Sequence, residues 1–159
     1  MSTLTVSSPS FKDGGAIPEK HAACGENLSP AISWKGLPPG TKSLAIIAED
    51  PDAPWPRLPL LKWVHWIAYN IPASEGGLAE GADRSEQMAS GALSGKNSFK
   101  RFGYDGPAPV LGRHRYFFRV YALDSMIELP AGKANKKSLL EAMQGRILEQ
   151  AELMGTFAR

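Results

Sequence analysis

The sequence has one cysteine, three histidines, no block of five like charges and no long apolar run. Each scarcity excludes something. A single cysteine, Cys24, cannot form an internal disulfide and agrees with a reducing compartment. The 18 basic residues against 16 acidic ones leave a net charge of +2, scattered along the chain. That balance leaves no electrostatic footprint for nucleic acid. No apolar run approaches the ~18 residues needed to span a bilayer, so no integral membrane segment is expected. The opening MSTLTVSSPSFKDGG lacks the basic region and apolar stretch of a secretory signal. The expected location is cytoplasmic.

What is present fits one domain over residues 1–159 with a full core. Thirteen prolines and 16 glycines punctuate many short segments, which points to an all-β protein. LTVSS opens the chain. Ile32 and Trp34 alternate with polar residues in AISWKG. SLAIIA is continuously apolar, as in a strand buried on both faces, and is expected to stop at Asp-Pro-Asp-Ala-Pro. KWVHWIAYNI is apolar and aromatic at nearly every position. RHRYFFRVYAL alternates, with Arg113, Arg115 and Arg119 on one face and His114, Tyr116, Phe118 and Val120 on the other. Residues 72–109 are too long for a structureless connection and read as a functional loop region with short elements. Near the C-terminus, Ser138 and Glu141 suggest a capping box. Leu140, Met143, Ile147, Ala151 and Met154 then recur at helical spacing, which predicts one packed helix over 138–154.

Two aspartates, Asp50 and Asp52, sit between rigid prolines at the end of the buried strand. The side chains able to meet them are few. His65 is expected on the face shared by Trp63, Ile67 and Tyr69. His114 and Tyr116, two apart on a strand, present an imidazole and a phenol side by side, about 6.5–7 Å apart. Either histidine alone would as readily be a satisfied core residue. The loop GYDGPAPVLG just upstream changes the weighting, because its glycines allow close backbone approach and Gly106 has an N–H to offer an anion.

The motifs GENLSPAISWKGLPPGTKSLAIIAEDPDAP, WVHWIAYNIP, GKNSF, GYDGPAP and GRHRYFFRVYALD occur in this order. Together they resemble the phosphatidylethanolamine-binding protein family, also called the Raf kinase inhibitor protein family, and especially its bacterial branch. The resemblance runs almost end to end. It implies a Greek-key, two-sheet antiparallel β-sandwich with a peripheral C-terminal helix and a small pocket at one end. That pocket would bind phosphate-like anions or phosphorylated head groups. Carried over position by position, its lining is Asp50, Pro54, Trp63, His65, Gly106, Pro107, His114 and Tyr116. The chain departs from the family where Ala108 separates the two prolines after Gly106, and where Ala23 precedes Cys24.

On this reading the prolines aim Asp50 at His65 and His114, and a carboxylate beside two imidazoles favours their protonated forms. No Gly-x-Ser-x-Gly elbow supplies a nucleophile. The site is therefore expected to be non-catalytic, with no cofactor and no metal. The alternative is a protein-interaction inhibitor of a kinase or protease, a role found within the family. The bacterial branch is often dimeric, so a homodimer is a further expectation of the resemblance.

Overall fold

The computed structural model describes residues 3–55, 58–109 and 112–158, with the side chains of residues 54–61 outside that description. Among these residues nine strands follow in chain order: β1 (Thr5–Ser7), β2 (Gly15–Ala16), β3 (Ile32–Lys35), β4 (Ser43–Trp55), β5 (Leu58–Pro72), β6 (Gly77–Leu78), β7 (Leu93–Ser94), β8 (Arg113–Leu123) and β9 (Ile147–Ala158). The α-helix α1 (Lys136–Met143) lies between β8 and β9. A smaller sheet has the order β1-β3-β6, and a larger one the order β2-β9-β8-β4-β5-β7. Among the described residues no helix is long and apolar enough to cross a membrane.

The centre of the larger sheet around β4 is buried on both faces, which explains the unbroken apolar run there. Leu44, Ile46 and Ala48 join Ile32 and Trp34 of the smaller sheet in one core cluster, along with Trp66, Phe118 and Val120. Ala45 and Ile47 turn the other way, into a second cluster with Ile67, Tyr69 and the α1 residues Leu139 and Met143. Outside the apolar contacts, buried Glu49 of β4 binds Arg119 of β8 and Lys136 of α1, tying the helix to the sheet.

Three expectations need correction. First, Asp-Pro-Asp-Ala-Pro does not end β4, which runs on to Trp55. The ladder to β5 shifts register between Asp50 and Ala53, so Pro51 sits where regular pairing lapses and its missing N–H costs little. Second, the larger sheet is mixed, because the two-residue β2 lies parallel to β9, with Gly15 opposite Gly155. Third, the helix stops at Met143, and residues 147–158 form a strand antiparallel to β8. Gly145, at φ 79°, lies in the left-handed region that turns the chain out of the helix. Beyond it, Ala151, Leu153 and Phe157 join the core cluster that holds Phe118 and Val120, an alternation of period two. Burial against β8 thus overrides a helical spacing of the larger side chains.

The helix start also differs from the expected Ser138–Glu141 box. Asn135 is the N-cap: its side chain accepts from Ser138 N at 2.9 Å, and Ser138 Oγ accepts from Asn135 N at 2.9 Å. Asn135→Ala should therefore lower stability by about 1 kcal/mol in urea unfolding. Glu141→Ala on the exposed face should stay within about 0.5 kcal/mol of wild type. A larger loss for Glu141→Ala than for Asn135→Ala would reverse this assignment.

Candidate functional site

The two aspartates of β4 divide their work. Asp50 is 3% exposed; its Oδ1 accepts from Asp52 N at 2.7 Å, a local bond that fixes the bulged turn. Its Oδ2 accepts from His114 Nδ1 at 2.6 Å. Asp52 faces Arg115, taking Nε and Nη2 at 2.9 Å each and the backbone N at 3.0 Å. That guanidinium holds the Asp52 carboxyl below its ordinary range, against the upward push of burial. The alternation of β8 makes this division possible: His114 and Tyr116 point in, Arg113 and Arg115 point out.

Three aromatic rings pack behind Asp50. The His114 and Tyr116 rings stack at 6.4 Å with 19° between planes. His65 meets Tyr116 edge-on at 5.2 Å and Phe99 at 5.6 Å. The Tyr116 hydroxyl is buried and has no hydrogen-bond partner among the described residues. Burial, with Asp50 adding to it, pushes its ionisation well above the ordinary tyrosine value, so it stays a neutral donor.

His65 reaches this cluster through a bulge. Ala48 pairs with Trp66 and Glu49 with Val64, which leaves His65 as the extra residue in β5. The bulge turns its ring toward Tyr116, whereas Ile67 and Tyr69 join the cluster on the other face. The expected shared face of His65, Ile67 and Tyr69 is therefore broken.

Asp105 sets the orientation of that ring. Its backbone carbonyl accepts from His65 Nδ1 at 2.6 Å, and its N donates to the His65 carbonyl at 3.0 Å. Its own carboxylate, on a residue 1% exposed, accepts from Asn27 and Arg84 at 3.0 Å, from Asn97 at 2.8 Å, and from Arg101 through two nitrogens. Burial pushes the Asp105 carboxyl up, but these donors, Arg101 foremost, bring it below the ordinary carboxylate value. His65 moves the opposite way to the expectation. Burial lowers its basicity, and the Asp105 and Gly106 carbonyls with the Asp50 and Asp105 charges only partly offset this.

The expected residues divide accordingly. Asp50, His65, His114 and Tyr116 come together. Trp63 is half-buried and stands edge-on to Phe99 at 5.5 Å, one ring further out. Pro107 is buried, and its carbonyl accepts from Ala23 N at 2.9 Å. The Gly106 N–H is not left for an anion, because it donates to Asn27 Oδ1 at 2.6 Å. Glycine is needed there for close packing: a Cβ would lie 1.8 Å from the His21 carbonyl oxygen. The side chain of Pro54 lies outside the described residues. Sequence reasoning assigned no role to Asn27, Arg84, Asn97, Arg101 or Asp105. Three of them stood inside quoted motifs, GENLSP, GKNSF and GYDGPAP, but nothing in their spacing shows that they converge. Among the described residues no cluster of three or more His, Cys, Asp or Glu could hold a metal ion.

Comparison with known proteins gives a consistent outcome. The family model described as phosphatidylethanolamine-binding protein matches residues 7–158. The UPF0098 protein of Methanothermobacter thermautotrophicus is 42% identical over 156 residues, covering 98% of this chain and 99% of that protein. A phosphatidylethanolamine-binding protein homologue from Chlamydia trachomatis superposes with a TM-score of 0.89 at 39% identity, covering 100% of this chain and 99% of that one. YbcL of E. coli, described as a member of the mammalian family, gives 0.88 at 29% identity, with 99% of each chain covered.

The Asp105 network yields a stability prediction with a definite sign. A carboxyl depressed in the folded state stabilises above its unfolded value, near 4, and loses that contribution as pH falls through the lower folded value. Asp105→Asn should cost about 1.5–3 kcal/mol at pH 7 in urea unfolding. The gap from wild type should narrow below about pH 4. A gap that is constant from pH 7 to pH 3 would show that the charge contributes nothing.

Proposed function

The chain belongs to the phosphatidylethanolamine-binding protein family, and on that premise we propose that it binds phosphate-like anions or phosphorylated head groups at Asp50, His65, His114 and Tyr116. The observation that carries this reading is the Tyr116 hydroxyl, buried beside two imidazoles with no partner among the described residues. An unsatisfied buried hydroxyl costs about 1–3 kcal/mol. A fold that keeps one in a cluster of charged and aromatic groups holds a donor in reserve for a ligand. Asp50 does not repel an anion as a bare carboxylate would, since both its oxygens are engaged, one of them by His114. The site reads as a binding site rather than a centre of turnover. Its acids and imidazoles hold one another in place, and Cys24, the only thiol, is exposed on a distant-in-sequence loop.

Tyr116→Phe separates this role from a structural one. It removes a hydroxyl that bonds nothing among the described residues, so stability should be unchanged or slightly raised. Affinity for inorganic phosphate or phosphoethanolamine should fall by about 0.5–1.5 kcal/mol, roughly two- to tenfold, in calorimetric titration. Unchanged affinity together with unchanged stability would remove the hydroxyl from the site.

A further inference from the structure

We infer that this site selects oxyanions that carry a proton, with His65 Nε2 accepting the ligand's O–H while the Tyr116 hydroxyl donates to a second oxygen. The inference rests on the anion-binding reading and narrows its ligand class to phosphate and phosphomonoesters in their monoanionic form.

A carbonyl oxygen only accepts, so the 2.6 Å contact from His65 Nδ1 to the Asp105 carbonyl places the ring hydrogen on Nδ1. In the neutral ring this leaves a lone pair on Nε2. The ring cannot easily turn to exchange the two nitrogens. Asp105 also bonds back to the His65 carbonyl, and its side chain is held by Asn27, Arg84, Asn97 and Arg101. Tyr116 and Phe99 both meet the ring edge-on.

The charged groups around the ring leave it neutral. Asp50 faces it from β4, but spends Oδ2 on His114 and Oδ1 on the Asp52 N–H. The Asp105 carboxylate behind it is matched by two guanidiniums. Tyr116 on β8 is uncharged, and Phe99 and Trp63 contribute only apolar surface. Burial of the His65 residue, 4% exposed, therefore prevails over the attraction of the carboxylates.

A neutral acceptor beside a hydroxyl donor discriminates by proton content. A phosphomonoester, whose second ionisation lies near 6, carries an O–H in its monoanionic form, which dominates below that value, and can donate it to Nε2. A sulfate or sulfate ester has no O–H near neutrality. It would set an oxygen lone pair against the Nε2 lone pair, or would have to bind together with a proton from solvent. A site built to use a ligand O–H rejects the analogue lacking it strongly, because a buried polar group is then left unpaired.

Calorimetric titration of the intact chain at pH 6 tests this with two matched pairs: phosphoethanolamine against ethanolamine O-sulfate, and inorganic phosphate against sulfate. Each phosphate should bind at least tenfold more tightly than its sulfate. At pH 8 phosphate binding should weaken and be accompanied by proton uptake, visible as a dependence of the heat on buffer ionisation. His65→Gln, which can present an amide N–H instead, should bring the two members of each pair within about threefold. Binding of phosphoethanolamine but not of inorganic phosphate would identify the head group as the source of the oxyanion and leave the selectivity standing. Equal affinity for phosphate and sulfate in the wild type would show that His65 donates and would overturn the inference alone. Selectivity that survives in a folded His65→Gln would also overturn it. Failure of all four ligands to bind would remove the anion-binding reading itself.

Discussion

The buried carboxylate of Asp105 is the interaction on which the rest of the site depends. It gathers side chains from the 21–28 loop, from the stretch around Arg84 and from the 95–102 turn, in a place where the residue is 1% exposed. A lone charge at such a depth would be prohibitive, and a charge with this many donors becomes an anchor. Its backbone then bonds His65 in both directions. The same point organises the loops beside the site: Asn27 bridges Asp105 to the Gly106 N–H, and Asn97 bridges it to the Gly103 carbonyl. Histidine orientation is thus a property of the loop framework, and not of β5 alone.

A pair of acids on β4 serves the other histidine. Asp50 turns inward to His114, and Asp52 turns outward to Arg115, with one local bond between them setting the angle. The prolines around them act within a strand, and the register shifts after Asp50 and at His65 bring both side chains to the Tyr116 cluster. Irregular strand geometry is here the device that aims functional groups, which is where bulges are commonly found. The asymmetry between the histidines follows. One has its Nδ1 on a carboxylate, the other on a peptide carbonyl, so the two rings offer a ligand different chemistry.

Much of this was legible in the sequence, for reasons that can be named. The alternation of RHRYFFRVYAL matched β8 from Arg113 to Leu123, because one face is buried and the other is not. Asp50, His65, His114 and Tyr116 were found together, because few side chains in the chain can ionise near neutrality or bond an anion. Other features depended on distant pairing. Residues 147–158 carry apolar side chains compatible with a helix, and only the exposed edge of β8 makes them a strand. The face of His65 turned on a one-residue bulge that no local pattern announces. Asp105 looked like a turn residue, since its partners lie from 4 to 78 positions away and meet only in the fold.

The account stands or falls on the state of the His65 ring in the folded protein. Nitrogen-15 NMR of the imidazole, read at neutral pH without ligand, reports both protonation and tautomer. The account predicts a neutral ring with hydrogen on Nδ1 and an unprotonated, pyridine-like Nε2. An imidazolium signal, or a hydrogen on Nε2 in a neutral ring, would contradict it.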